Sequence, residues 1–331
     1  RQVDIFALTT NAKEPDKYLL DGRWRSFREK TIKLKVKLFG FLPWQVKRKA
    51  LYTEHGPAIE TPHGIYAIRY AGMGEVKQIE QWLAMNKATN FEEWLAALAQ
   101  HTFASFNFVY SDKDGNIAFI HNSMTPVRIP GYNWHNYLPG DKSSLIWDSY
   151  ISFEKLPMVI NPSSGYLISA NQSPFFVTSD KDNPDRKNYS NEDGFPTRMT
   201  NRAVRGLELL SELDKIDEQT FSAIKHDKKY SKNSRAYKYL EKAMLADLGD
   251  LNTQKHEIYA NAQTILKKWD LSTDKNNRGA ALGTCIIGAE WLAEQQGENP
   301  PDPSGELKRC TDLLLDKICL LYTSDAADDI P

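Results

Sequence analysis

The sequence predicts an α+β protein, with a mainly antiparallel β part over residues 1–200 followed by a helical part over residues 201–318. The clearest predicted strand alternates apolar residues with lysines, which predicts one solvent-exposed face. The apolar face carries Ile32, Leu34, Val36 and Leu38, and the exposed face carries Lys33, Lys35 and Lys37. From about Thr200, apolar residues instead recur at helical spacing. Because strands and helices do not alternate as βαβ units, the pattern argues against a doubly wound parallel sheet.

Two segments of the β part have well-defined local patterns. Aromatic-rich runs at Phe103–Tyr110 and Ile117–Ile120 flank an Asp-Gly step, which predicts an antiparallel hairpin. Helical spacing predicts helices at Val76–Ala88 and Phe91–Ala99, the second preceded by a capping Thr-Asn pair. Their short connection predicts a helical hairpin, inserted between strands near residues 75–100.

The helical part contains four further helical patterns: about Ser234–Leu248, Lys255–Trp269, Gly279–Ala293 and Glu306–Lys317. The Pro-, Gly- and Asp-rich stretch Gly297–Gly305 predicts a linker between the last two. Cys285 and Cys310 lie in or near these helices. Their scattered positions predict neither a disulfide framework nor a metal site.

Both ends of the chain read as artificial boundaries. The first residues, Arg1-Gln2-Val3, begin neither with methionine nor with a signal peptide, so we expect a cut inside a longer protein. Residues 319–331 include the run CLLYTSDAADD, which reads like a translated sequencing adapter and carries no fold information. We therefore expect a chain truncated at both ends, with a non-native tail.

Charge and hydropathy exclude two classes of partner. The chain has 42 Lys and Arg against 43 Asp and Glu, a net charge of −1, and no like-charge block long enough for a nucleic-acid arm. No apolar run approaches the length of a membrane span. With 41% hydrophobic residues, the chain has enough core for a globular enzyme or a large binding protein.

Local catalytic and metal motifs are absent from the sequence. The seven histidines form neither an HExxH pair nor a zinc spacing with cysteine. Gly72-Met73-Gly74 lacks the third glycine of a dinucleotide loop, and Pro184-Asp185 interrupts a calcium-loop-like run that begins at Asp180. No GxSxG elbow is present, so residue spacing alone identifies no reaction.

Three segments together resemble the nucleophile chain of the penicillin acylase family: Phe108–Ile117 (FVYSDKDGNI), Asn161–Tyr166 (NPSSGY) and Asn171–Pro174 (NQSP). Further similar segments extend the resemblance over nearly everything before the tail: Val3–Phe6, His55–Pro57, Tyr66–Arg69 and Trp269–Asp270. The resemblance implies an N-terminal-nucleophile hydrolase fold, with antiparallel sheets layered with helices (αββα) and a helical region after them.

The same resemblance implies a reaction and its setting. Family precursors cleave themselves to expose a Ser, Thr or Cys whose own α-amine is the general base, and an acyl-enzyme then forms. The nucleophile is expected upstream of Arg1, so this fragment alone should be inactive. The implied partners are a small-molecule N-acyl substrate and the α chain from the same precursor, without nucleic acid or a membrane span. The implied location is periplasmic or secreted.

Two residues match catalytic positions of the family. Asn171 matches the oxyanion-hole asparagine, whose amide can lower the barrier by roughly 3 kcal/mol. Its alternative is a turn-capping residue after a predicted strand at Tyr166–Ala170. Arg202 matches the arginine near the nucleophile, where a fixed cation holds down the pKa of the amine. The alternative is an ordinary helix arginine, with Arg198 and Arg205 as competitors for the role.

Four residues match binding positions of the family. Trp82 and Phe106 match walls of the acyl pocket, although a helix and a strand also bury aromatic residues as core. Val3 and Asp4 match part of a structural calcium site, through a carbonyl and a carboxylate. Arg1 stands where a further aspartate is expected, which should weaken Ca²⁺ binding. No cofactor is implied for the chemistry itself.

The resemblance leaves the substrate class open. Relatives act on β-lactam side-chain amides, N-acyl-homoserine lactones or lipopeptides, and Asn171–Phe175 followed by Asp182–Pro184 looks closer to the lactone and lipopeptide acylases. The implied function is hydrolysis of a linear amide C–N bond. A non-catalytic family member, acting as a ligand-binding or interaction scaffold, is the alternative; the identity of the upstream residue decides between them.

Overall fold

The computed structural model describes residues 2–213 and 215–317, and these divide into two compact units. The β unit comprises the described residues up to Ser169 together with Ser173–Thr197. The helical unit comprises Ala170–Gln172 together with the described residues from Arg198 onward. Arg1 and the tail predicted at 319–331 lie outside the described residues.

The β unit is built from three sheets. Its strands are β1 (Val3–Ala7), β2 (Thr10–Asn11), β3 (Glu14–Leu20), β4 (Arg23–Ser26), β5 (Arg28–Leu38), β6 (Leu42–Tyr52), β7 (Pro57–Thr61), β8 (Gly64–Tyr70), β9 (Ser105–Ser111), β10 (Ile117–Ser123), β11 (Leu138–Pro139) and β12 (Met158–Ile160). The six-stranded sheet has the order β11-β1-β8-β7-β6-β5, in which β1 and β11 are parallel and the other neighbours antiparallel. The three-stranded sheets have the orders β12-β10-β9 and β2-β3-β4.

Both local hairpins predicted in the β unit are confirmed. Strands β9 and β10 are antiparallel, and Asp112 Oδ1 accepts two backbone N–H groups within their turn. Helices α1 (Gln78–Lys87) and α2 (Phe91–Leu98) lie between β8 and β9 in the chain and pack on each other. Asn90 caps α2 by accepting a backbone N–H of its first turn.

Of two further strand predictions, one was wrong in part and the other was wrong. Strand β5 has the predicted alternation, but all its residues are exposed, so it has two wet faces where one was predicted. The segment Tyr166–Ala170 forms no strand. Its backbone makes isolated contacts instead, such as the hydrogen bond from Ile168 N to Val177 O at 2.8 Å, and an isolated bond does not make a ladder.

Two histidines are buried in the β unit. Phe6 on β1 packs its ring 4.6 Å from the ring of His55, which is fully buried. His121 on β10 is also buried, with Nδ1 2.7 Å from Asn107 Oδ1. Burial lowers the pKa of each histidine to about 4, and the positive charge of Arg69 adds to this at His55. Both rings are therefore neutral in the folded protein at pH 7.

The lowered pKa values predict an acid-sensitive fold. Unfolded histidine titrates near pH 6.5, so the unfolded chain binds protons between about pH 6.5 and 4 that the folded protein excludes. The stability contribution is complete above pH 6.5 and is lost as the pH falls towards 4, by up to about 3 kcal/mol per histidine. His55→Gln or His121→Gln should flatten this slope in urea unfolding curves measured against pH. The exposed His63→Gln is the control; an unchanged slope in both buried variants would contradict the prediction.

The helical unit contains α3 (Asn201–Ser211), α4 (Glu218–Lys225), α5 (Arg235–Leu245), α6 (Thr253–Lys268), α7 (Arg278–Gln296) and α8 (Pro303–Lys317). The predicted C-terminal helical region is confirmed, and α8 begins inside the stretch predicted as a linker because Pro303 suits the first turn of a helix. Among the described residues, no helix has the length and apolarity needed to cross a bilayer.

A disulfide joins Cys285 on α7 to Cys310 on α8, with Cα atoms 6.0 Å apart. The interpretation that their positions indicate no disulfide framework was wrong. They are 25 residues apart in sequence, and only the packing of the two helices brings them within bonding reach. Cys310 is fully buried and belongs to the core of the helical unit.

The ring of Trp269 lies directly on α7. Its Nε1 donates to Ser272 O at 2.7 Å, which fixes the indole orientation. A Cβ built at Gly283 would lie 2.1 Å from Trp269 Cζ3, so the ring occupies the space that any larger residue would need. Glycine at this position is therefore a packing requirement, since helix propensity alone favours alanine.

This contact predicts opposite effects for two glycines of the same helix. Gly283→Ala should lower the free energy of unfolding by about 1–3 kcal/mol because the added methyl overpacks against the indole. Gly288→Ala, where no atom lies within 4 Å of the added methyl, should be neutral or stabilising by up to about 1 kcal/mol. Urea unfolding of both variants checks this, and equal effects would refute the packing explanation.

Candidate active site

Asn171 lies in a short segment, Ala170–Gln172, that belongs to the helical unit. Its φ of 59° is left-handed, a region that asparagine tolerates better than most residues because its side chain hydrogen-bonds locally. Gln172 Oε1 accepts the backbone N–H of Ala170 at 2.6 Å and closes the turn. The Asn171 side chain is exposed.

The beginning of helix α3 holds this segment. Thr200 caps the helix by accepting the N–H of Ala203, and its hydroxyl donates to Ala170 O at 3.2 Å. Arg202, in the first turn, donates from Nη2 to Ala170 O at 3.2 Å and to Asn171 Oδ1 at 2.9 Å. The structure thus brings together the two residues that match catalytic positions.

The contact with Arg202 determines how the Asn171 amide is used. A guanidinium has only donors, so the Asn171 atom facing it is the acceptor Oδ1. The Nδ2 donors are consequently directed away from Arg202, and they make no hydrogen bond within the described residues. An exposed, oriented amide donor is the group that an oxyanion requires.

The competing arginines are engaged elsewhere in the helical unit. Arg205 forms a double hydrogen bond with the carboxylate of Asp227, at 3.1 Å for both contacts, and this raises the pKa of its guanidinium. Arg198 lies 3.4 Å from a carboxylate oxygen of Glu294. Of the three arginines, Arg202 is the one bonded to Asn171.

Trp82 and Phe106 belong to one aromatic cluster of the β unit. Both contact Phe103, with ring centroids 5.0 Å and 5.4 Å away respectively. Both also contact Phe108, at 5.7 Å and 6.0 Å. Phe103 and Phe108 are buried, whereas Trp82 is 42% and Phe106 52% exposed. The cluster therefore presents two aromatic edges on a buried aromatic base.

Sequence reasoning missed that base. Phe106 and Phe108 are two residues apart on β9 and share a face of the strand, which is a signal that the alternation contained. The position of Phe103 against Trp82 depends on tertiary packing of α1 and could not be read from spacing.

Asp4, one of the two residues matched to a calcium site, has a fully buried carboxylate. Its Oδ2 accepts Arg128 Nε at 2.9 Å and Trp147 Nε1 at 2.8 Å. Arg128 is 1% exposed at its side chain and also donates to the backbone carbonyl of Glu192 at 2.8 Å. Asp4 Oδ1 makes no hydrogen bond to any described residue.

These surroundings do not fit a divalent cation. Ca²⁺ prefers six to eight oxygen ligands, and here a guanidinium already lies against the carboxylate that would bind it. No group of three or more His, Cys, Asp or Glu side chains suited to a metal occurs among the described residues. Arg128 was not singled out from the sequence, because 124 residues separate it from Asp4.

The sequence matches the penicillin amidase family over residues 1–312, and the chain therefore belongs to this family. Family members are heterodimeric acylases that hydrolyse linear amides, and they are typically periplasmic. The family match over residues 1–312 confirms the resemblance from which the candidate site residues were identified.

The individual relatives share about a third or fewer of their aligned residues with this chain, and they are longer than it is. Penicillin G acylase of Escherichia coli is 34% identical over 179 residues, which cover 52% of this chain and 20% of that protein. Acyl-homoserine lactone acylase PvdQ of Pseudomonas fluorescens (strain Pf0-1) is 25% identical over 132 residues, 37% of this chain and 17% of that protein. A thermostable penicillin G acylase from Alcaligenes faecalis matches in structure with a TM-score of 0.64 at 21% identity, over 92% of this chain and 53% of its own.

The buried ion pair predicts a large asymmetry between variants. Arg128→Met should lower the free energy of unfolding by about 3–5 kcal/mol because it leaves the Asp4 carboxylate buried without a counter-charge. Adding Asp4→Asn should restore part of that loss. The exposed pair Arg25–Glu54, 2.9 Å apart, is the control, and Arg25→Met should cost at most about 1 kcal/mol. Similar losses for Arg128→Met and Arg25→Met in urea unfolding would contradict this assignment.

Proposed function

We propose that this chain is part of an amide hydrolase that transfers an acyl group to a hydroxyl or thiol at the N-terminus of its own nucleophile chain. Membership in the penicillin amidase family supports the reaction class. The observation that carries the proposal is the hydrogen bond from Arg202 to Asn171 Oδ1, which directs an exposed amide donor outward. The chain spans about a fifth of the curated relatives it matches, so the nucleophile is proposed to lie in sequence outside it.

In the proposed reaction, the nucleophile's oxygen or sulfur attacks the amide carbonyl, and its proton passes to the terminal α-amine. The carbonyl oxygen becomes an oxyanion that accepts a hydrogen bond from Asn171 Nδ2. As the C–N bond breaks, the amine leaving group takes the proton. Water then attacks the acyl-enzyme, releases the carboxylic acid and regenerates the nucleophile.

Arg202 is proposed as a positioning residue that acts through Asn171. Its guanidinium occupies Oδ1, so the amide cannot rotate to present its oxygen to the oxyanion, which would be repulsive. The resemblance suggests a different role, in which the cation holds down the pKa of the terminal amine. The pH dependence of kcat distinguishes the two roles. Only in the second role does removing the arginine's charge raise the pKa of the amine base and so move the acidic limb of the profile to higher pH.

The aromatic cluster around Trp82 and Phe106 is the proposed contact for the acyl group. Its exposed edges offer apolar surface with few polar atoms, which suits an aryl or alkyl chain. The names of the two curated relatives suggest two test substrates, a phenylacetyl amide of the penicillin G type and an N-acyl-homoserine lactone. The penicillin G acylase is 34% identical to this chain and the lactone acylase 25%, whereas the sequence after Asn171 favours the lactone class.

Calcium is proposed to be unnecessary at Asp4. We propose that Arg128 supplies at Asp4 the positive charge that calcium would otherwise bring, so added Ca²⁺ should not raise the melting temperature.

The Cys285–Cys310 disulfide supports a periplasmic or secreted location, because such bonds persist in oxidising compartments. An α chain cut from the same precursor is the proposed partner.

The experiment that tests the function uses the complete coding sequence. Mass spectrometry of the expressed protein should show cleavage before a Ser, Thr or Cys, and the processed protein should hydrolyse one of the two test amides. Asn171→Ala should lower kcat by about 10²–10³-fold with little change in KM, because the lost hydrogen bond forms mainly in the transition state.

The matched control is Asn201→Ala, an asparagine at the start of the same helix whose side chain contacts Ser231 and Lys229 instead of Asn171. Its kcat should stay within about threefold of the unmodified protein. An uncleaved precursor without a hydroxyl or thiol residue at the processing site would contradict the proposed hydrolase function and would favour a ligand-binding scaffold. Cleavage and activity with no effect of Asn171→Ala would remove Asn171 from the mechanism.

A further inference from the structure

The β5–β6 hairpin extends from the six-stranded sheet as a two-stranded arm that comprises residues 30–50. Strand β6 pairs with β7 only at Leu51 and Tyr52, so within the described chain the strands of the arm pair only with each other. Nine residues in each strand give the arm a length of about 30 Å. A two-stranded ribbon with both faces in water is only marginally stable, so an arm of this length needs a surface to lie against.

Cross-strand pairing sorts the side chains of the arm into two faces. The apolar face carries the pairs Leu34–Val46, Val36–Trp44 and Leu38–Leu42, with Ile32 and Arg48 at its border. The basic face carries the pairs Thr31–Lys49, Lys33–Lys47, Lys35–Gln45 and Lys37–Pro43. Leu34 is 46% and Trp44 56% exposed, so the apolar face is not a core.

The tip of the arm carries two exposed phenylalanines, one of which has a backbone conformation that is unfavourable for a bulky residue. Phe39 and Gly40 both have positive φ, 53° and 81°, and form the centre of a tight turn closed by the hydrogen bond from Phe41 N to Leu38 O. A bulky residue is rare in the left-handed region, where such turns usually carry asparagine or glycine. Phe39 is nevertheless 87% and Phe41 77% exposed. The turn thus holds two phenylalanines outward at a conformational cost.

The charge of the hairpin is the opposite of that of the rest of the chain. Residues 28–52 contain eight cations against one acid, Glu29: Arg28, Lys30, Lys33, Lys35, Lys37, Lys47, Arg48 and Lys49. The whole chain has a net charge of −1, so its remainder is acidic. Lysine is depleted from protein–protein interfaces, whereas amphipathic helices that lie in a membrane interface combine Lys and Arg on one face with Trp, Phe and Leu on the other. The arm has the second composition.

We propose that the arm docks this protein on the surface of an anionic lipid bilayer. The apolar face and the tip enter the boundary between headgroups and acyl chains, and the lysines of the opposite face reach the phosphates by extending their side chains. The docking is peripheral, since an open two-stranded ribbon would leave backbone N–H and C=O groups unpaired in the bilayer core, where its lysines are also unfavourable. It is independent of the proposed hydrolase activity.

The test uses the full-length processed protein and sedimentation with vesicles. Vesicles containing about 30% phosphatidylglycerol should bind the protein at low salt, whereas vesicles of phosphatidylcholine alone should bind it at least about tenfold more weakly. Raising the salt to about 500 mM should release most of it because the lysine–phosphate attraction is screened. Lys33→Gln, Lys35→Gln and Lys37→Gln together should weaken binding about 100-fold.

The double variant Phe39→Ser and Phe41→Ser should weaken binding at least about tenfold. The matched control is Val76→Ser and Ile79→Ser, which removes equally exposed apolar residues, 79% and 80%, outside the arm. Circular dichroism should show all variants folded. Failure of the unmodified protein to bind phosphatidylglycerol vesicles, or equal binding by the arm and control variants, would overturn the proposal. Loss of folding or processing in the tip variant would also overturn it, since that result places the arm against the protein's own chain.

Discussion

A buried carboxylate strongly constrains the fold of the β unit. Asp4 lies on β1, between β11 and β8 in the largest sheet, and its charge cannot be left unbalanced in the interior. Arg128 supplies the counter-charge and Trp147 a further donor, so chain segments more than 120 residues apart must meet at this point. Arg128 in turn binds the backbone at Glu192, which draws a third distant segment to the same place. Arg128 thereby balances the charge of Asp4 within the described part of the chain.

In the candidate active site of the helical unit, the matching of hydrogen-bond donors and acceptors plays the part that charge pairing plays at Asp4. Asn171 is useful for amide hydrolysis only if its donor side faces the substrate, and an asparagine by itself has no preference between its two ends. Arg202 removes that ambiguity because it has no acceptor to offer. Thr200 and the first turn of α3 hold the backbone of the same segment, so local helix capping and site geometry depend on each other.

What the sequence predicted correctly is local. The β9–β10 turn, the cap of α2 and the C-terminal helices follow from residue spacing that short-range physics interprets directly. The buried pair Asp4–Arg128, the disulfide and the exposed second face of β5 depend on which segments meet in space, and spacing carries no record of that. Asn171 and Arg202 were found by family resemblance, whereas their mutual hydrogen bond, which gives the pair its chemical meaning, required coordinates.

Arg202 is proposed to contribute to catalysis through the orientation of the Asn171 amide. A double-mutant cycle on kcat of the full-length enzyme tests it most directly, with Arg202→Leu measured in the unmodified and the Asn171→Ala backgrounds. If the arginine acts through the amide, its replacement should be severe in the first background and change kcat less than about threefold in the second. An equal loss in both backgrounds would show that Arg202 acts independently of Asn171, and would contradict its role in orienting the amide.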